Sequence, residues 1–204
     1  MDLWELERAC WAQGYGLVCG CDEAGAGPLA GPVYAAAVIL PRELNIPGLN
    51  DSKKLTPKKR DLLYDQIIAQ AQVWSVAWVE SEEIDTTDIL SARMNAMQRA
   101  IDGLNVKPDF ALIDGNRDHG KSGAITTSHA TVVKGDSLSA SIAAASILAK
   151  VSRDRYMEEM AKEYPQYAFE RHKGYPTKLH YERLDQYGPC PIHRKTFLKK
   201  RKKG

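Results

Sequence analysis

Short apolar runs alternate along the chain with stretches of helical period. Residues 2–13 place Leu3, Leu6, Cys10 and Gln13 at helical spacing, with Trp4 and Trp11 flanking, and Gly14-Tyr15-Gly16 ends this predicted amphipathic helix. Residues 17–22 (LVCGCD) predict a strand finishing in acid, and residues 31–40 a largely buried strand stopped by Pro41. A loop rich in Asn, Pro and Gly covers 44–55. Thr56-Pro57 then supplies a capping hydroxyl and a first-turn proline for a helix over 57–72, with Leu62, Leu63, Ile67 and Ile68 on one side. Residues 73–79 (VWSVAWV) predict another strand. Thr87-Asp88 opens a helix whose Leu90, Met94, Met97, Ile101 and Leu104 step by four, three, four and three, the spacing of a core stripe. Residues 109–114 (DFALID) predict a strand ending in Asp114, and 124–133 contain a further strand. A long helix follows over about 138–163, where Ala143, Ala144, Ala145 and Ala149 let another backbone approach closely. A last helical segment, 177–187, ends at Gly188-Pro189.

This order predicts an α/β architecture, a central mixed sheet flanked by helices. Residues 1–164 form the expected catalytic core, and residues 165–204, rich in aromatic and basic side chains, a small helical appendage. A chain of 204 residues, 44% hydrophobic and 26% charged, excludes disorder, collagen and coiled coil as the whole answer. The apolar runs 33–40 and 141–149 fall short of the roughly 18 residues that span a bilayer. The acidic opening Met1-Asp2-Leu3-Trp4-Glu5 is unlike a secretory leader, so the expected setting is the cytoplasm, without membrane contact.

The net charge of +2 hides an asymmetry: the last eleven residues hold seven basic side chains and no acid, leaving 21 basic against 26 acidic residues before them. Such a tail either touches a polyanion or is solvated and idle. Cys10, Cys19, Cys21 and Cys190 make no Cys-x-x-Cys pair, which predicts free thiols rather than a zinc site or disulfide scaffold. Each of His119, His129, His172, His180 and His193 is expected at the surface, and no Gly-x-Ser-x-Gly elbow is present.

Asp22-Glu23 closes the first strand, Asp114 closes another, and Asp136 leads into the long helix. Active sites of α/β proteins gather at the carboxyl ends of strands. Carboxylates that converge repel one another until a cation sits between them, and hard oxygen ligands select Mg²⁺ or Mn²⁺. Two such ions, about 4 Å apart, activate water and stabilise a leaving oxygen in phosphodiester cleavage. The competing account of each acid is a helix cap or a surface charge, and Asp136 is placed to cap the long helix. Gly25-Ala26-Gly27 matches neither a P-loop nor a dinucleotide fingerprint; it either presents backbone N–H groups to a phosphate or makes a tight turn.

The run Cys21-Asp22-Glu23-Ala24-Gly25-Ala26-Gly27-Pro28-Leu29-Ala30-Gly31-Pro32-Val33 resembles the opening signature of the ribonuclease HII family. So do Asp51-Ser52-Lys53-Lys54-Leu55, Asp114-Gly115-Asn116, Val133-Lys134-Gly135-Asp136, the run from Ile142 to Lys150, Gly174-Tyr175-Pro176-Thr177 and His193-Arg194, in the same order. The resemblance implies an RNase H-like fold and an endonuclease that cuts the RNA strand of RNA/DNA hybrids and incises 5′ of single ribonucleotides in duplex DNA. It implies Mn²⁺ or Mg²⁺ held by Asp22, Glu23, Asp114 and Asp136. It places Tyr175 near the ribose, the Gly25-Ala26-Gly27 loop on the backbone around the 2′-hydroxyl, and Lys53 and Arg194 among the substrate contacts. A monomer is expected, with a replication clamp as a candidate protein partner.

Two departures stand out. The family pattern has Gly-Arg-Gly where this chain has Gly25-Ala26-Gly27, removing a cationic fork that could hold phosphate. The segment between Asp114 and Asp136 is a few residues longer, with 117–123 (RDHGKSG) as a polar loop. Alternatives are a ribonuclease HIII-like enzyme, disfavoured by the short stretch before the first strand, and a non-catalytic hybrid binder, disfavoured by four intact carboxylates. A small-molecule phosphatase is disfavoured by the basic tail and Tyr175.

Overall fold

A computed structural model of the chain describes residues 2–49, 52 and 55–199. The expected contact of Lys53 and the basic run beyond Lys199 lie outside the described residues.

Five strands form one mixed sheet in the order β3-β2-β1-β4-β5. They are β1 (Val18–Ala24), β2 (Val33–Ile39), β3 (Val73–Val79), β4 (Phe110–Asp114) and β5 (His129–Val132). β1, β2 and β3 pair antiparallel, whereas β4 runs parallel to both β1 and β5. The helices are α1 (Glu5–Ala12), α2 (Pro57–Gln70), α3 (Ser81–Thr86), α4 (Ile89–Asp102), α5 (Ala140–Glu163), α6 (Phe169–His172), α7 (Lys178–Tyr187) and α8 (Lys195–Leu198). The sheet is mixed, as the order of elements predicts. Among the described residues no helix is long and apolar enough to cross a membrane.

Alternation along β1 divides the core. Cys19 and Cys21 join Met94, Met97 and Ile101 of α4 on one face of the sheet. The other face meets α5, where a Cβ on Gly20 would stand 2.2 Å from the Ile142 nitrogen. Strand and helix backbones touch there, as the small residues of α5 predict. Thr56 caps α2 by accepting from the Lys59 N–H, and Asp88 caps α4 through the Leu90 and Ser91 N–H groups. All four cysteines are free; burial pushes the Cys19 thiol up to about 12, so it is inert.

Several expectations change. α5 begins at Ala140 rather than near 138, because Ser139 is its cap and accepts from the Ile142 N–H. The competing account of Asp136 as that cap falls away, since it lies in the 3₁₀ turn Gly135–Ser137. The strand expected within 124–133 is present as β5, four residues long. Leu62, expected on the buried side of α2, is 57% exposed, while Leu63 and Ile67 bury. The short helices α3, α6 and α8 carry no legible period.

The largest correction concerns histidine. His172, His180 and His193 are buried together rather than at the surface. His172 and His180 stack with centroids 4.4 Å apart, and His180 Nε2 lies 3.0 Å from His193 Nε2. With Tyr167 and Phe169 this cluster lies inside the 165–199 region, which packs on Leu29, Ala30 and Met157.

Candidate functional site at the strand ends

Register brings the acids together. Cys21 of β1 is paired with Ile113 of β4 in parallel, so Asp22 and Asp114 follow as neighbours at the carboxyl ends of adjacent strands. Asp22 points to the α5 face and is 4% exposed. It is hydrogen-bonded to Ser146, whose hydroxyl also lies 2.8 Å from that of Ser52. That bond carries the 51–55 motif to the site. Burial, then the charges of Glu23 and Asp114, raise the Asp22 carboxyl well above its ordinary range, against the opposing Ser146 bond.

Glu23 falls on the opposite face because β1 stays extended through Ala24. There Arg93 of α4 meets it, Nη2 to Oε1 at 2.6 Å. Asp136 is buried and follows Gly135, whose N–H donates to Asp114 Oδ1 at 2.7 Å. The 3₁₀ turn thus docks on the end of β4. Among the described residues, no three His, Cys, Asp or Glu side chains form a closed metal cage. The donor set nevertheless suits a hard cation: carboxylate oxygens only, crowded enough to raise a proton affinity.

The glycine loop borders this cluster. Gly25 has φ +94°, and a Cβ there would stand 2.0 Å from Arg153 Nε. Gly31, at φ +85°, would meet Met157 Sδ at 2.5 Å. Only glycine fits either position. A Cβ on Gly27 would reach Tyr175 Cε1 at 3.9 Å, so the loop and the 39%-exposed Tyr175 share one edge of the site. Ala26, Gly27, Leu29, Ile89, Leu90, Arg93 and Phe197 line a hollow of about 460 Å³ beside the loop.

Arg194 is placed differently from its expectation as a substrate contact. It is fully buried. Its Nη1 donates to the Ala26 carbonyl at 2.9 Å, Nη2 to that of Gly25 at 2.6 Å, and Nε to that of Gly31 at 2.9 Å. Its donors are engaged by the loop's own backbone, so the guanidinium reaches the loop from beneath.

Sequence reasoning missed Arg93, Arg153 and Ser146. Arg153 had a signal: it stands four residues after Ala149 and four before Met157, a charge on an otherwise apolar helix face. Ser146 lies within the family-like run from Ile142 to Lys150, but nothing in that run sets it apart as a partner of Asp22, and Arg93 had no signal, since Arg occurs on any helix flank.

The sequence profile of the family described as ribonuclease HII matches residues 19–200. The ribonuclease HII of Caldicellulosiruptor bescii is 52% identical over 195 residues, covering 96% of this chain and 93% of that protein. The ribonuclease H2 of Pyrococcus horikoshii superposes with a TM-score of 0.72 at 29% identity, over 88% of this chain and 93% of the other. The ribonuclease HII of Archaeoglobus fulgidus, solved as a complex with PCNA, gives a TM-score of 0.74 at 25% identity, over 92% and 98% of the two chains.

Proposed function

The chain belongs to the ribonuclease HII family, hydrolytic endoribonucleases acting on the RNA of RNA/DNA hybrids, and from that premise we propose that it also incises duplex DNA 5′ of a single embedded ribonucleotide. The observation that carries this reading is the meeting of Asp22 and Asp114 at neighbouring strand ends, beside a glycine loop that touches the Tyr175 edge. In this reading Asp22, Glu23, Asp114 and Asp136 hold divalent cations, Mg²⁺ or Mn²⁺. Bound there, such ions supply charge neutralisation at the phosphate and an activated water.

The chain's own groups do the rest. Ser146 orients the Asp22 carboxylate, and the Gly135 N–H orients that of Asp114. Arg93 balances Glu23 from the α4 side. The Gly25-Ala26-Gly27 backbone grips the sugar-phosphate chain, and Tyr175 packs on the ribose whose 2′-hydroxyl distinguishes RNA from DNA. Residues 165–204 act as the substrate-facing appendage that carries Tyr175. The enzyme works as a cytoplasmic monomer, and a sliding clamp is a partner by analogy with the PCNA complex of the Archaeoglobus protein.

The test compares a duplex holding one ribonucleotide with a continuous RNA/DNA hybrid, each with Mg²⁺ and with Mn²⁺, mapping the cut to the nucleotide. Metal-dependent incision on the 5′ side of the lone ribonucleotide is expected. Cleavage of the hybrid alone would restrict the enzyme to continuous RNA.

A further inference from the structure

Arg153 and Arg194 are 1% and 0% exposed, and neither makes an ion pair with a carboxylate among the described residues. Two buried guanidiniums without a counter-ion are costly unless every donor finds an acceptor. Here the acceptors are backbone carbonyls, almost all from one loop. Arg194 takes those of Gly25, Ala26 and Gly31. Arg153 takes Ala30 through Nη2, Pro32 through Nε and Lys173 through Nη1, each at 3.0 Å. Lys173 lies two residues before Tyr175, and the Arg153 guanidinium stands 5.8 Å from that ring. Burial depresses both arginines, Arg194 to about 9; a guanidinium in a protein keeps its charge.

The planar trans peptide turns this pattern into a statement about the other side of the loop. The carbonyl of one residue and the N–H of the next point in opposite directions. Holding the Gly25 and Ala26 carbonyls down on Arg194 therefore turns the N–H groups of Ala26 and Gly27 away from it. Among the described residues neither N–H has an acceptor. The loop is also tied at its far end, where the Leu29 N–H donates to the Gly174 carbonyl and the Gly31 N–H to that of Ile192, both at 2.8 Å.

We propose that Arg153 and Arg194 are positioning residues, a paired guanidinium brace that fixes the Gly25–Pro32 loop so that the N–H groups of Ala26 and Gly27 present to the substrate backbone and stay in register with Tyr175. This rests on the reading of the loop as a substrate contact. The brace acts through the loop and touches neither the reacting phosphate nor the carboxylates. It also accounts for glycine at 25 and 31, since a Cβ would collide with Arg153 at one and approach it at the other.

The test is kinetic. Lysine keeps the charge of Arg194 but cannot span three carbonyls with one ammonium. Arg194→Lys, shown to be folded by its melting transition, is expected to raise KM for an RNA/DNA hybrid about tenfold and leave kcat within about threefold. A merely structural role would lower active protein without that split. An unchanged KM in the folded variant, or a fall in kcat alone, overturns the proposal. Arg153→Lys is the second variant and should behave alike. Should neither fold, hydrogen exchange of the wild-type chain decides. The Gly31 amide is expected to be protected like the sheet core without substrate, and exchange at a free-loop rate overturns the brace. Ala26→Asp separates this from the underlying reading. It leaves both arginines in place and sets an anion on the loop, so an unchanged KM there removes the loop from the substrate contacts whatever the arginines do.

Discussion

Arg93 Nη2 lies 2.6 Å from Glu23 Oε1, joining α4 to the last turn-ward residues of β1. The pair is mostly buried, with side chains 26% and 11% exposed. It supplies one positive charge at the margin of the carboxylate cluster. Arg93→Met keeps much of the stem and removes that charge. Losing one partner of a largely buried pair costs about 1–3 kcal/mol, and each kcal/mol lowers the melting temperature of a chain this size by about 2–4 °C. A divalent cation bound at Glu23 would restore the missing charge, so the loss should shrink when Mn²⁺ is added. Melting curves with Mn²⁺ and with chelator measure this. Equal losses in both would separate Glu23 from the metal site.

Asp22→Asn and Asp114→Asn should abolish cleavage, because an amide is a poor ligand for a hard cation. Metal-free stability should hold or rise by a few degrees, since burial and mutual repulsion already oppose the Asp22 charge. Cleavage assays and melts on the same preparations check both halves. Normal turnover in either variant would end the assignment of that residue as a ligand.

The histidine cluster predicts acid sensitivity of the 165–199 region. Burial holds His180 and His193 near a pKa of about 4, and His180 is further lowered by stacked His172. The groups facing the pair are Cys190, whose Sγ is 3.1 Å from His193 Nδ1, and the rings of His172, Tyr167 and Phe169. The unfolded chain takes up protons near the ordinary value of about 6.5 and the folded chain only near 4. Stability is therefore complete above about 6.5 and falls as the pH drops towards 4. One such histidine loses about 2 kcal/mol by pH 5. His193→Gln keeps a hydrogen-bonding side chain without a titrating ring. Its melting temperature should fall less than that of the wild type between pH 7.5 and pH 5, and parallel slopes would clear the cluster of any such role.

What the chain order made legible was whatever depends on period and on strand ends. Asp22 and Asp114 could be named because each ends an apolar run, and parallel pairing of those runs makes them neighbours. Cys19 and Cys21 share a face for the same reason. Arg194 was visible as part of a motif, but its direction was not. Its partners are the carbonyls of Gly25, Ala26 and Gly31, more than 160 residues earlier, which face it only once the loop has closed. The three buried histidines come from two helices and a turn with no common period, so nothing local marks their burial. Leu62 went wrong because α2 packs by one narrow edge, Leu63 and Ile67, and leaves its neighbour in water.

Ala26 stands where the family pattern has arginine, and its surroundings make the reverse substitution specific. Its carbonyl is fixed by Arg194 Nη1 at 2.9 Å, so a new side chain would not change how the loop is held. The hollow of about 460 Å³ bounded by Gly27, Leu29, Ile89, Leu90 and Phe197 can take an arginine stem, and apolar walls suit its methylenes. Arg93 shares that hollow but is engaged by Glu23, which leaves the new guanidinium free to turn towards the substrate. A hydrogen bond to a charged partner contributes about 1.5–3 kcal/mol, roughly tenfold to a hundredfold in affinity. Ala26→Arg should therefore lower KM for a single-ribonucleotide duplex about tenfold, with kcat little changed because the carboxylates are untouched. The gain should also shrink as salt rises, as phosphate contacts do. Steady-state kinetics of both proteins at two ionic strengths are the measurement. Equal constants at low salt would mean that position 26 faces the hollow and not the phosphate, and the substrate path over this loop would have to be redrawn.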